Sequence, residues 1–579
     1  MRSRSLVSTA QRASWMTCAS SVRYASQKGD CQRTPPTRVP DFNDPTVFRD
    51  KSTWFLIKAL AILKLCSFDY LAKNSVQIMK QVEKVAGSYL VYDLAVKRTI
   101  YAYFCAGENE AELRNTVKSL SKRGVGSVLD YAAEADTEGF TPEPGMEEAP
   151  IISMSQVVNK CDVKYLADGT LFDDNMKLYM MSIMHASLNH PLYGPGQVAV
   201  KVSGMCNPQL LARINAILMS IHQSWVIHFT QEEQNLRIEE CRVVMGINHK
   251  HRLHITREQL KEGFARRNPN KPIDTDLYNQ LVELMDPEKT GKISYYRYKQ
   301  VLTDAVVAVD PTPVQMKAAA YLPVVSDREK KLWKDVNERL ELIAATGSAM
   351  SVRCMVDAEQ TFYQLAIDAI VMNLQKKFNK EAPVVYNTYQ CYLTYAEDRV
   401  SNDLDRAKEY GFQWGGKIVR GAYMIQERKT AQEYNYTSPI WPDLEGTAAC
   451  YQNTVKRAFK AMSEVPNNKY EIFCGTHNAV AVRELAQLII DTPTIQSRCA
   501  FGQLYGMRDN LTFPLAKEGF QVYKYLPYGP AKETIHYLGR RAVENSAILS
   551  SEGAGDVGLM KKELFRRFGI TYQPKSNKK

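Results

Sequence analysis

The chain has 579 residues, with 74 Lys+Arg against 63 Asp+Glu, and so a formal charge of +11. Hydrophobic residues make up 45% and charged residues 24%, ordinary globular proportions that exclude a mainly disordered, collagen-like or many-spanning membrane chain. The length suits about four domains, or one α/β barrel with insertions.

The surplus charge is uneven. Residues 1–29 carry Arg2, Arg4, Arg12, Arg23 and Lys28 and no acid, and Lys575, Lys578 and Lys579 close the chain, so eight of the eleven surplus positives sit in two short stretches. That distribution argues against a basic domain face for nucleic acid. The leader is Arg- and Ser-rich and lacks the continuous apolar run of a secretory signal, the profile of a mitochondrial transit peptide. Twelve scattered cysteines without a Cys-x-x-Cys pair fit a reducing compartment.

Next, 54–68 is the most apolar stretch. Lys58 and Lys64 interrupt it, and it falls short of the ~18 uncharged residues of a membrane span. It predicts a packed amphipathic helix, with a membrane surface as the alternative. Eight β-branched or apolar runs follow, at 127–132, 198–204, 351–357, 384–392, 416–423, 471–478, 498–504 and 520–527. Helical patterns, such as 404–410 and 480–490, alternate with the last six, which implies parallel pairing. The expected fold is therefore α/β: a distorted (βα)8 TIM-like barrel with an N-terminal helical arm and an EF-hand-like helical insertion. Its expected parts are a leader 1–35, an arm 36–110, barrel 111–206, an insertion 207–345, barrel 346–550 and a basic tail 551–579. In such barrels chemistry sits at the C-terminal strand ends. Lys201, Asp357, Gln390, Tyr423, Thr476, His477, Asn478 and Tyr525 lie on these runs or at their ends.

Two gaps exceed a simple crossover. The first contains the acidic, Pro-rich loop 137–150. The second contains a loop that starts at Asp286, with Gly291 at loop position six and Ile293 at position eight, as in an EF-hand. Position twelve is Arg297, where calcium needs a bidentate Glu. Ile255 is the expected pairing partner of Ile293, in a loop that offers Lys250, Arg252 and Leu253 where oxygen ligands belong. No calcium binding is expected. His249, His251 and His254 read as a solvated basic loop, not a metal site, because no second ligand cluster accompanies them.

No GxGxxG, GxxxxGK[ST], GxSxG or HExxH occurs, so nicotinamide-dinucleotide, P-loop, serine-hydrolase and metalloprotease readings lack support. The helix after the eighth run places Tyr537, Arg540, Arg541 and Glu544 at i, i+3, i+4 and i+7, on one face. The bland alternative is a solvated face with an Arg540–Glu544 pair. Two guanidiniums can also grip one carboxylate. With Lys201, in a strand too apolar for a casual lysine, three cations imply an anionic ligand. The tail at 559–568 is basic with apolar residues on one side, suited to ending the fold or touching an anionic membrane.

The segments at 417–423 (KIVRGAY), 475–478 (GTHN), 501–507 (FGQLYGM) and 525–530 (YLPYGP) with 537–541 (YLGRR) resemble those of the proline dehydrogenase family in its eukaryotic, mitochondrial, monofunctional form. The resemblance covers roughly 90–205 and 320–550. It implies oxidation of L-proline to Δ1-pyrroline-5-carboxylate. A hydride would pass from C5 to N5 of non-covalently bound FAD, and the electrons to ubiquinone at the inner mitochondrial membrane, on its matrix side. Carried over position by position, Lys201, Arg540 and Arg541 would hold the carboxylate, with Asp357 beside Lys201 in support. Tyr423, Leu504, Tyr525 and Tyr537 would enclose the ring, and Ala422 would keep the strand end small. The implied catalytic set is Lys201, Asp357, Tyr423, Arg540 and Arg541. FAD would meet Gln390, Lys417, Val419, Gly421, Thr476, His477 and Asn478. Lys417 stands where bacterial relatives carry Arg, a point charge in place of a fork. Lys201, Asp357 and solvent are all candidates for the proton of the proline ammonium. Hydroxyproline dehydrogenase is the close rival. There the Tyr525 position tends to be Ser, so Tyr525 favours proline. A folate-reductase-type flavin barrel and a calcium-responsive inactive barrel fit less well.

Overall fold

The computed structural model describes residues 35–570, apart from 69, 72–73, 132–168, 189–194, 231–253, 308–310, 324, 434–435, 466–467 and 552–554. The expected leader up to residue 34, the acidic loop 137–150, His249, His251 and the last nine residues lie outside this set.

The arm opens with α1 (Thr53–Cys66), where the Ser52 hydroxyl accepts from Phe55 N, followed by α2 (Ser75–Ala86) and a wider-wound helical segment, Tyr89–Tyr101. α1 buries Leu56, Ala59, Ile62, Leu63 and Cys66, one stripe at helical spacing, so 54–68 does pack as an amphipathic helix. Among the described residues no helix is long and apolar enough to cross a membrane.

After α3 (Glu110–Ser121) the barrel starts with β1 (Gly126–Tyr131), α4 (Gly169–Leu188), β2 (Gln197–Val200) and α5 (Pro208–Ser224). The insertion contributes β3 (His254–Thr256), α6 (Arg257–Arg267), α7 (Thr275–Met285), β4 (Lys292–Ser294) and α8 (Tyr295–Val307). The barrel resumes with α9 (Asp327–Ala349), β5 (Arg353–Val356), α10 (Thr361–Phe378), β6 (Val385–Gln390), α11 (Ala396–Tyr410), β7 (Gly415–Val419) and α12 (Leu444–Glu464). It closes with β8 (Glu471–Gly475), α13 (Ala479–Asp491), β9 (Cys499–Leu504), α14 (Asp509–Lys517), β10 (Gln521–Tyr528), α15 (Ile535–Ser551) and α16 (Asp556–Arg567). α5 packs on α10, and α9 on α4 and β5, so both belong to the barrel's outer layer.

Eight strands close into a parallel barrel in the order β1-β10-β9-β8-β7-β6-β5-β2. All eight runs read from the sequence are these strands. Their near-continuous burial is what parallel strands covered by helices require. Val128, Ala199, Met355, Tyr386, Phe473, Ala500 and Tyr523 form the inner cluster. At the N-terminal end Arg353 and Glu471 pair at 2.8 Å, with Tyr386 bonded to the same carboxylate, so this end is plugged and the open chemistry belongs to the other.

Three strands end three or four residues before the apolar runs do. β2 stops at Val200, and Val202–Gly204 wind into a turn. β7 stops at Val419, because Gly421 takes φ +135°, off the extended path. β8 stops at Gly475, because Asn478 turns to cap α13, its Oδ1 accepting from Ala481 N at 2.9 Å.

In the insertion Ile255 pairs with Ile293 in a short antiparallel ribbon, as expected. Asp286 Oδ1 accepts from Thr290 N, and its Oδ2 accepts from both Gly291 N and Arg257 Nη2, each at 2.8 Å. Arg297 turns away to Glu409 on α11 at 3.1 Å. Among the described residues no group of three His, Cys, Asp or Glu is placed to hold a metal.

Candidate active site at the barrel mouth

Lys201 follows β2 directly. Its Nζ lies 2.7 Å from Asp130 Oδ1 on the adjacent β1, with both side chains buried, and its backbone N donates to Tyr179 Oη at 3.3 Å. Asp357 follows β5 and sits beside Lys201, its N donating to Val200 O at 2.9 Å. Its carboxylate goes elsewhere. It accepts from Tyr525 Oη at 2.8 Å and pairs with Lys417 Nζ. β5, β7 and β10 are not neighbours, so these three side chains meet across the lumen. Asp357 was expected to support the Lys201 charge; the ion pair seen at Lys201 is with Asp130. Sequence reasoning missed Asp130, although a lone acid in an apolar strand is the same signal that exposed Lys201. Lys417 Nζ also lies 5.5 Å from the Tyr525 ring centroid. Burial, with the Asp130 and Asp357 charges nearby, raises the Tyr525 phenol well above its ordinary value and keeps it protonated.

The second group hangs on α15. On its polar face Arg541 pairs with Glu544 at 2.9 Å; the sequence suggested Arg540 for that pair. The other Glu544 oxygen lies 3.2 Å from His477 Nδ1, and His477 Nε2 accepts from Leu504 N at 3.0 Å. An accepting Nε2 places the ring proton on Nδ1. Burial lowers the His477 pKa, so the imidazole is neutral and held at both nitrogens, a positioned group and not a free acid or base. Burial opposes the Glu544 charge, but Arg541 and then His477 outweigh it and hold the carboxyl at about 2. Arg540, half-buried one position earlier, adds its charge to the same carboxylate. Tyr537 Oη and Arg541 Nε are buried without a hydrogen-bond partner. Leu504 lies half-buried at the end of β9.

The third group lines the ends of β6, β7 and β8. Gln390 is buried: its Nε2 donates to Glu359 O at 2.8 Å and its Oε1 accepts from Ala422 N at 3.3 Å, which fixes the loop after β7. Val419 O accepts from Cys391 N at 2.8 Å. A Cβ on Gly421 would meet the Tyr392 ring at 1.9 Å, so this turn requires glycine. Ala422 is exposed and Tyr423 half-buried. Thr476 Oγ1 accepts from Arg420 Nε at 3.3 Å and Asn478 N at 3.2 Å, which leaves its own proton to give. Asn478 Oδ1 is committed to its cap.

The model of the family described as proline dehydrogenase matches residues 227–552. Proline dehydrogenase 1, mitochondrial, of Homo sapiens is 30% identical, with 89% of this chain and 88% of that protein covered. The chain belongs to the proline dehydrogenase family. Membership makes it an oxidoreductase acting on proline. Proline dehydrogenase 1, mitochondrial, of Drosophila melanogaster is 29% identical over 96% of this chain and 85% of its own length. The hydroxyproline dehydrogenase of Xenopus laevis is 25% identical over 91% and 90%. Among solved structures, proline utilization A from Bdellovibrio bacteriovorus, inactivated by N-propargylglycine, superposes over 99% of this chain with a TM-score of 0.51 at 14% identity, a likeness of fold. The chain spans about half the length of that protein, 46%.

A proline dehydrogenase that uses a flavin dinucleotide needs donors along the ring edge and positive charge for the phosphates. Lys417, Arg420, Gln390 and Thr476 supply both along adjacent strand ends, and the unused Thr476 proton is a free donor among them. This donor set fits the group.

Proposed function

We propose that the chain oxidises L-proline to Δ1-pyrroline-5-carboxylate with non-covalently bound FAD and passes the electrons to ubiquinone at the matrix face of the inner mitochondrial membrane, the leader 1–35 directing import. The observation that carries this reading is the pair of buried, unpartnered donors, Tyr537 Oη and Arg541 Nε, on a helix face that already holds a guanidinium–carboxylate pair. A small anion bound beside this helix face would give both donors an acceptor.

FAD, when bound, supplies the two-electron acceptor. The residues that hold it are Gln390, Lys417, Val419, Gly421, Thr476, His477 and Asn478. Lys201, Arg540 and Arg541 bind the substrate carboxylate. Tyr423, Leu504, Tyr525 and Tyr537 enclose the mostly CH₂ ring, and Ala422 leaves it room. Asp357 orients Tyr525 and Lys417 through their shared carboxylate. Lys201 is engaged with Asp130 at 2.7 Å. The proton of the substrate ammonium therefore passes to Asp357 or to solvent. Tyr525, fixed by Asp357, fills the space a ring hydroxyl would need, which favours proline over hydroxyproline.

Arg541→Ala tests the carboxylate role. One charge-assisted contact is worth roughly 1.5–3 kcal/mol, so KM for proline should rise about 10- to 150-fold while kcat changes much less. An unchanged KM overturns the assignment.

A further inference from the structure

Half of the large apolar side chains left exposed among the described residues, eleven of twenty-two, fall within residues 54–94. On α1 they form a second stripe. Trp54, Ile57, Ala61 and Leu65 recur every three to four residues and are exposed, Trp54 at 72%. At about 100° per residue they lie opposite the buried Leu56–Ala59–Leu63 stripe. The same geometry sets Lys58 on one border of the outer stripe and Lys64 on the other. Lys64 Nζ reaches to 5.1 Å from the Phe68 ring centroid. α2 buries no side chain at all and leaves Val82 and Val85 open, Val85 at 91%, with Lys80 and Lys84 on its other side. The helical segment Tyr89–Tyr101, packed on α2, adds exposed Tyr89 and Leu90. α16 packs along α1 and brings exposed Lys561, Lys562 and Phe568 to the same end of the molecule.

A helix apolar on two sides has two apolar neighbours. For α1 the inner one is the protein itself. We propose that the outer one is a lipid bilayer with anionic headgroups, and that 54–94 with α16 is the surface by which the enzyme docks on it. This deepens the membrane reading given above and rests on it. Charge favours this occupant. The acids among the described residues 54–94 are Glu83 and Asp93, and Glu83 is already held by Lys532 at 2.9 Å and Tyr92 at 2.8 Å. Protein–protein interfaces deplete lysine at their cores. Lysines that border an apolar stripe instead lay their stems along acyl chains and their ammonium groups among headgroup phosphates. The placement also serves the reaction. α2 rests on α15, where a Cβ on Gly539 would come within 2.7 Å of Val76 Cγ2. Docking therefore sets the helix that carries Tyr537 and Arg541 next to the phase in which a quinone-class acceptor dissolves.

The test is sedimentation of the full-length holoenzyme with phosphatidylcholine vesicles, with and without phosphatidylglycerol, alongside proline turnover with a soluble dye. The wild type should bind the anionic vesicles. Val82→Glu with Val85→Glu should keep dye-linked turnover and weaken binding at least about tenfold. Should those variants lose turnover, Lys58→Glu with Lys64→Glu, the two lysines that border the outer stripe of α1, carries the test, with a loss confined to the anionic vesicles. Folded variants that bind like wild type overturn the arm as the docking surface and leave the membrane reading standing. A wild type that binds neither vesicle overturns both.

Discussion

At the scale of single residues, the charges at the mouth come in buried pairs, and buried pairs punish the loss of one partner. Asp130→Ala removes the carboxylate that the buried Lys201 ammonium pairs with, and breaking a buried pair costs about 3–5 kcal/mol. Thermal unfolding should show a clear drop in Tm. Adding Lys201→Met should recover much of that drop without recovering activity. If the single change leaves Tm where it was, the Asp130–Lys201 pair is not buried as described. Glu544 makes a pH prediction. Its carboxyl sits at about 2 in the folded protein against an ordinary 4.5. A depressed carboxylate adds stability that is complete above the unfolded value and is lost as pH falls from about 4.5 towards 2. The wild type should lose its advantage over Glu544→Gln across that window, in Tm measured at several pH values. Parallel curves contradict the Arg541–Glu544–His477 link. Lys201 and Arg541 were legible in the sequence because one broke an apolar strand and the other repeated at helical spacing. The Glu544–His477 contact was not, because it joins β8 to α15 and depends on barrel closure. The same holds for the meeting of Asp357, Lys417 and Tyr525.

At the scale of elements, the insertion holds its EF-hand-like loop together with protein groups. Gly291 and the Ile255–Ile293 ribbon retain the geometry, and the Arg257 guanidinium supplies the positive charge for Asp286. The Asp286 carboxylate is buried, and the pull of Arg257 and of the Thr290 and Gly291 amides overcomes that burial and lowers its pKa to about 2. Calorimetric titration with calcium should give no heat, and Arg257→Ala should lower stability by about 1–3 kcal/mol, read as a fall in Tm. A micromolar calcium site in the wild type contradicts this account of the loop. The same elements show where sequence reading stops. Apolar, β-branched runs located all eight barrel strands, yet three runs overshot by three or four residues, because those strand ends are set by Gly421, by the Asn478 cap and by the turn after Lys201, not by hydropathy.

At the scale of the whole molecule, strand–helix alternation sufficed to read a closed parallel barrel, and the candidate site residues lie towards the strand C-termini, where such barrels carry their chemistry. The arm was only half legible. Its inner stripe read correctly as a packed amphipathic helix, but the outer stripe was hidden because apolar residues surround α1 on both sides. Charge divides in a similar way. Most of the surplus lies in the terminal stretches, while Lys201 and Arg541 are buried and matched to single carboxylates. The central claim is that the barrel mouth pairs a flavin with proline. It is tested most directly by the visible spectrum of the purified protein with FAD, followed without oxygen as L-proline and then hydroxyproline are titrated. A yellow protein whose flavin band bleaches with proline, at lower concentrations than with hydroxyproline, is the predicted result. A protein that takes up no flavin, or a flavin band that proline leaves unchanged, would contradict it.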